Sequence, residues 1–138
     1  ETIPVGSSAQ FNGALEAGAI VVAAYHDFEA TPDEGQLREV IAAMNYACAD
    51  VLKFACMANS ATDAARVLAA QAWAREAYDR PVIGISMGEH GAPTRLVGSA
   101  LGSAATFATL PGWEGSAPGQ FTVEQVRAVL DIVEASED

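Results

Sequence analysis

ADVLKFAC, residues 49–56, decides how this chain folds and poses a chemical question at the same time. Val51, Leu52, Phe54 and Cys56 form a short apolar run with strand-favouring side chains, yet the run encloses Lys53, the only lysine of the chain. The other six of its seven Lys and Arg side chains are arginines: Arg38, Arg66, Arg75, Arg80, Arg95 and Arg127. A sequence that draws its cations from arginine does not need one lysine for solubility. Lysine differs from arginine in that burial can lower its pKa far enough to free the amine as a nucleophile. A strand period of two puts Val51, Lys53 and Ala55 on one face and Leu52, Phe54 and Cys56 on the other, so small residues flank the lysine and leave room for a ligand.

Outward from this strand, apolar runs alternate with amphipathic stretches. A short helix is expected over residues 8–17, followed by a buried strand, AIVVAAYHDF (19–28). Thr31, Pro32 and Glu34 predict a helix start, with Thr31 as N-cap and Glu34 closing a capping box, and the helix runs to about Tyr46. Ser60 and Asp63 predict a second cap, opening an alanine-rich helix that ends near Tyr78. PVIGISMG (81–88) reads as the third strand, residues 96–101 as a short helix, SAATFATL (103–110) as the fourth strand, and Thr122 as the cap of a last helix. Strands separated by helices and without hairpin turns predict parallel βαβ units. Four of them fit an open doubly wound sheet or half of a (β/α)8 barrel, and pattern alone leaves both open. His26, Lys53 and the segment from Ser86 to Gly88 lie toward strand C-termini, where both architectures place their chemistry.

With 138 residues, 51% of them hydrophobic and 18% charged, residues 1–138 are read as one unit. A net charge of −11 with scattered cations excludes a nucleic-acid surface. Cys48 and Cys56 sit in apolar contexts without zinc spacing and are expected as buried free thiols of a reducing cytosol. No apolar run reaches the roughly 18–20 residues of a membrane span. A cytoplasmic protein without a membrane partner is therefore expected, and its start at Glu1 reads as a fragment or a processed chain.

The chemistry centres on His26 and Lys53. Adjacent parallel strands are about 4.8 Å apart, so side chains from two strand ends can meet around one small molecule. A neutral amine attacks a ketone to form an imine, the protonated imine acidifies the neighbouring carbon, and an imidazole can take that proton and return it to a leaving hydroxyl. Each residue also has a structural reading. Lys53 could snorkel or pair with Asp50, His26 could form a hydrogen-bonded pair with Asp27, and Arg95 could be a solvated loop arginine rather than a carboxylate clamp. His90 is expected on the surface, Met44 and Met57 in the core, and Trp73 on a helix face.

Several segments together resemble the type I 3-dehydroquinate dehydratases: YHDFEATP with His26, ADVLKFACM with Lys53, ISMG with Met87, TRLVGSALGSAATF with Arg95, and SAPGQ from Ser116 to Gln120. The resemblance spans residues 21–133. It implies the second half, with four strands, of a TIM-like (β/α)8 barrel. It implies a carbon–oxygen lyase of the shikimate pathway that dehydrates 3-dehydroquinate to 3-dehydroshikimate without metal or organic cofactor. By motif, Lys53 would form the Schiff base and His26 would be the acid/base. Arg95 would bind the substrate carboxylate, Ser116 and Gln120 would contact its hydroxyls from a closing loop, and Met87 and Phe107 would line the pocket. Ala24 departs from a frequent hydroxyl residue of the family and Leu101 from a frequent Phe.

Half a barrel would expose an apolar sheet face and unpaired strand edges. The expected partner is therefore a complementary N-terminal half or a second copy in a homodimer. Two other readings remain at this level: a different lysine-imine lyase such as an aldolase, which leaves SAPGQ unexplained, and a noncatalytic half-barrel that serves assembly.

Overall fold

The computed structural model describes residues 8–117 and 119–135. Helix α1 (Ser8–Glu16) precedes β1 (Val22–Asp27), α2 (Glu34–Tyr46), β2 (Val51–Met57), α3 (Ala61–Ala77) and β3 (Val82–Met87). Two short helices, α4 (Gly88–Gly91) and α5 (Thr94–Val97), a 3₁₀ turn (Ser99–Leu101) and α6 (Val123–Glu134) complete the order. The three strands form one parallel sheet in the order β1-β2-β3. Each neighbouring pair is thus joined by a helical crossover, as the absence of hairpin turns requires. Among the described residues, no helix is long and apolar enough to cross a membrane.

The two faces of the sheet differ. On one, Leu37, Val40, Ile41 and Met44, spaced along a single stripe of α2, pack with Val67, Ala70 and Ala74 of α3 against Leu52, Phe54, Cys56 and Val82. On the other, Ala55, Ile83, Ile85 and Met87 form a smaller cluster flanked by Val51 and Met57, while Val22, Ala24 and His26 of β1 are exposed. Lys53 stands on this second, thinly covered face.

Helix starts follow local hydrogen bonding. Ser60 caps α3 by accepting from the Asp63 amide, and Thr122 forms a capping box with Gln125 on α6. At α2 the expected cap is displaced. Asp33, not Thr31, is the N-cap, and Gln36, not Glu34, closes the box. The physical reason is that the Thr31 hydroxyl is buried and donates to the Met57 carbonyl at 2.7 Å, so it ties the end of β1 to β2 instead of capping. Cys56 is buried as expected, and burial followed by Asp27 pushes its thiol up to about 12. Cys48 is exposed, in a left-handed turn (φ 62°) after α2, contrary to the expected buried thiol. Met44 is in the core, Met57 is half-buried, and Trp73 lies between the Arg38 guanidinium and the Tyr78 ring.

The fourth expected strand, residues 103–110, makes a single parallel bridge to the sheet, between Val82 and Ser103, with the Ala104 amide donating to the Val82 carbonyl at 2.8 Å, and a second bridge outside it, between Thr109 and Thr122. The next rung of β3 is taken by a side chain. Gln71 of α3, fully buried, accepts from the Gly84 amide at 2.9 Å and donates to the Gly98 and Leu101 carbonyls at 2.9 and 3.2 Å. A Cβ at position 84 would lie 2.7 Å from the Gln71 Oε1, so the glycine admits the amide. Gln71 thereby satisfies the Gly84 amide on the outer edge of β3 and ties that edge to the 3₁₀ turn. Replacing it by Leu removes the acceptor of the Gly84 amide and one donor each to the Gly98 and Leu101 carbonyls. Q71L is expected to lose about 2–4 kcal/mol of unfolding free energy in a denaturant titration, and an unchanged midpoint contradicts this role.

Candidate active site

Side-chain alternation sets the site. In the β1–β2 register His26 pairs with Ala55 and Lys53 pairs with Ala24, so the lysine begins two residues nearer the strand N-termini and reaches up the shared face. Its Nζ lies 2.7 Å from the Nε2 of His26. Neither residue takes the structural partner considered for it. The Asp50 carboxylate accepts from the Val21 amide at 2.7 Å, and Asp27 accepts from the Glu29 and Ala30 amides, each at 2.9 Å.

A cavity of about 180 Å³ surrounds the pair, and its lining includes the seven residues to which the family resemblance gives a site role: His26, Lys53, Met87, Arg95, Phe107, Ser116 and Gln120. Arg95 projects from the short helix α5 and is only 6% exposed, which excludes a solvated loop arginine. The Phe107 ring centroid is 5.6 Å from the Lys53 nitrogen. On the loop before α6, the Ser116 amide donates to the Gln120 Oε1 and the Gln120 amide group donates to the Ser116 hydroxyl, both at 2.9 Å. Gly119, at φ +78°, packs so closely on α4 that a Cβ would lie 2.8 Å from the Gly88 carbonyl oxygen, and this seats the loop over the strand ends. Pro118 of this loop lies outside the described residues. His90 is exposed, away from this group.

The electrostatics favour uncharged nitrogen. Burial, reinforced by the nearby Arg95 guanidinium, lowers the Lys53 amine below its ordinary value, and burial followed by Lys53 lowers the His26 imidazole. Burial also lowers Arg95, which has far to go before it loses its charge. The site therefore brings together an amine whose charged form is disfavoured by burial, an imidazole within one hydrogen bond of it, and a fixed cation for an anionic group.

Sequence reading overlooked three cavity residues, Phe28, Ile85 and Ala117, whereas Ala55 was placed beside the lysine by strand alternation. Phe28 and Ile85 stand two residues from His26 and Met87, so the strand period contained the signal. Ser86, within the segment flagged in the sequence, is fully buried and pairs in register with Cys56. That places it on the helix-covered face.

Fold and site define a parallel α/β protein with an amine–imidazole pair at the C-terminal ends of its strands. Residues 6–137 match the family model of type I 3-dehydroquinase, and the chain belongs to that family. The 3-dehydroquinate dehydratase of Aromatoleum aromaticum is 37% identical over 123 residues, which are 89% of this chain and 46% of that protein. That of Shigella flexneri is 41% identical over 114 residues, 82% of this chain and 44% of its own length. Among solved structures, 3-dehydroquinate dehydratase from Geobacillus kaustophilus superposes with a TM-score of 0.86 at 35% identity, over 93% of this chain and 49% of that one. The type I enzyme from Clostridium difficile with covalently modified comenic acid gives 0.83 at 32% identity, over 94% and 50%. The chain thus spans about half the length of the relatives it matches.

The His26 shift has a stability consequence with a definite sign. Its folded value is below 6.5, the ordinary imidazole value, so as pH falls through 6.5 the unfolded chain takes up the proton first. Folding stability is then lost with acidification until the folded imidazole also protonates. Relative to H26Q, the native chain is expected to lose stability as pH falls below that point and to run parallel above it. Parallel curves throughout would contradict the shift.

Proposed function

We propose that this chain supplies the imine-forming face of a type I 3-dehydroquinate dehydratase, which converts 3-dehydroquinate to 3-dehydroshikimate in the shikimate pathway. The observation that carries this reading is the 2.7 Å approach of the Lys53 Nζ to the His26 Nε2 inside a cavity that also holds Arg95. Lys53 attacks the ketone carbon of the substrate, and the carbonyl oxygen leaves as water to give a protonated imine. His26 removes a proton from the carbon beside it, producing an enamine. The hydroxyl on the next carbon then departs as water with a proton from His26, restoring the imine, and water releases the product and the free amine. Arg95 holds the carboxylate, and Met87 and Phe107 exclude solvent from the imine. Ser116 and Gln120 exchange their mutual hydrogen bonds for the substrate hydroxyls.

The face bearing these groups is covered on β3 and exposed on β1, and among the described residues the cavity lining includes no carboxylate. In this reading four further strands, on the same or another polypeptide, close the sheet into a (β/α)8 barrel with residues 103–110 as its last strand. They also supply the remaining contacts to the substrate ring. A second copy of this chain could cover the face but would duplicate Lys53 and His26 without adding new groups.

Incubation with 3-dehydroquinate and borohydride, followed by peptide mass analysis, tests the assignment. A reduced adduct is expected on Lys53 and none in K53A. H26A is expected to keep the adduct while elimination falls by about 10²–10⁴. Modification elsewhere, or none at all, excludes the imine mechanism, whereas an adduct that never loses water identifies a face whose dehydration machinery is incomplete.

A further inference from the structure

Phe28 lies beside the amine–imidazole pair and has no role in the mechanism above. Its ring is parallel to the His26 imidazole, with centroids 5.8 Å apart and planes 6° from coincidence. Residues 26 and 28 share a face by strand alternation, at about 6.6–6.8 Å for two residues of extended chain. A turn beginning at Asp27 draws the rings together. The Asp27 carboxylate accepts from the Glu29 and Ala30 amides, the Asn59 side chain donates to the Glu29 carbonyl at 2.8 Å, and Thr31 donates to Met57. These bonds anchor the backbone on the C-terminal side of Phe28 to the end of β2, so the point from which its ring projects is fixed, although the residue is 66% exposed.

The imidazole needs such support. Among the described residues, the contact with Lys53 is its only hydrogen bond. One bond at Nε2 leaves the ring free to swing about it. A parallel aromatic plane beside it, 5.8 Å away between centroids, restricts that freedom.

We propose that Phe28 is a positioning residue, whose stacked ring fixes the plane of His26 so that Nε2 faces both the Lys53 amine and the carbon beside the imine. This rests on the imine reading of Lys53 and extends it to the step that His26 performs. The charged groups that face the imidazole across the cavity are Lys53 and Arg95, and neither can substitute for stacking. A ring held only by its Nε2 bond would still permit imine formation at Lys53 but would misalign proton removal, so the two steps should respond differently to loss of the phenyl ring.

The test compares the native 138-residue chain with F28A, F28L and F28Y by two readouts. The first is the His26 ring proton resonances followed by NMR through a pH titration without substrate. The second is the ratio of dehydrated to undehydrated adducts trapped on Lys53 by borohydride after exposure to 3-dehydroquinate. F28A is expected to abolish the ring-current shift of His26, to move its titration midpoint up toward 6.5, and to lower the adduct ratio about tenfold or more. F28Y is expected to restore all three, and F28L to restore none fully. The proposal is overturned if F28A titrates and eliminates like the native chain, or if F28L restores both properties as well as F28Y does. Absence of any Lys53 adduct in the native chain would remove the imine reading, while the NMR titration would still decide whether Phe28 governs His26. If the native chain forms the adduct without eliminating, the titration decides alone.

Discussion

One contact organises this protein: a primary amine and an imidazole held 2.7 Å apart on the same side of two parallel strands. It depends on register, because a slip of one residue in β2 would turn Lys53 to the opposite face, under α2 and α3, and bring Leu52 and Phe54 out to the open one. The apolar half of β2 is fully buried under α2 and α3, so the core that stabilises the fold also fixes the side on which the lysine emerges. Folding and chemistry are thus coupled through strand alternation, and neither Leu52 nor Phe54 need touch a substrate to govern where the amine stands.

The second constraint is the asymmetry of the sheet. Its helix-covered face is closed, whereas its other face is covered on the β3 side and open along β1. That asymmetry sets the electrostatics of the site: partial cover desolvates Lys53, His26 and Arg95 and lowers all three. Arg95 adds to the effect on Lys53 by proximity. A buried guanidinium beside an amine would be a poor arrangement for structure alone, since the two repel, but it suits a site that binds an anionic ligand next to a nucleophile.

The parts of this arrangement set by local pattern were legible in the sequence. The period of two placed Lys53 opposite the core, apolar runs located the three strands, and Ser60 and Thr122 announced their helices. What escaped depends on long-range partners. Thr31 looks like a cap until Met57 claims its hydroxyl, and Cys48 looks buried until the chain turns outward at that point. The run at 103–110 has the composition of a strand, but it pairs with β3 through a single bridge, and the next amide, of Gly84, is bonded to Gln71. The site residues from separate loops, Arg95, Ser116 and Gln120, were grouped by resemblance to a family and not by spacing, since nothing local indicates that α5 and the loop before α6 meet over the same strand ends. Phe28 was accessible to the period-two rule, but an exposed aromatic beside a strand end gives no local sign of which ring it will face.

The central claim, that Lys53 is a desolvated amine bound to His26, is tested most directly by following the side-chain nitrogen of Lys53 through a pH titration with heteronuclear NMR, in the native chain and in H26A. The account predicts a midpoint below 10.5, the ordinary lysine value, and a hydrogen-bond correlation between the Nζ and the His26 Nε2 that disappears in the variant. A midpoint at or above 10.5 with no correlation to the imidazole would contradict it.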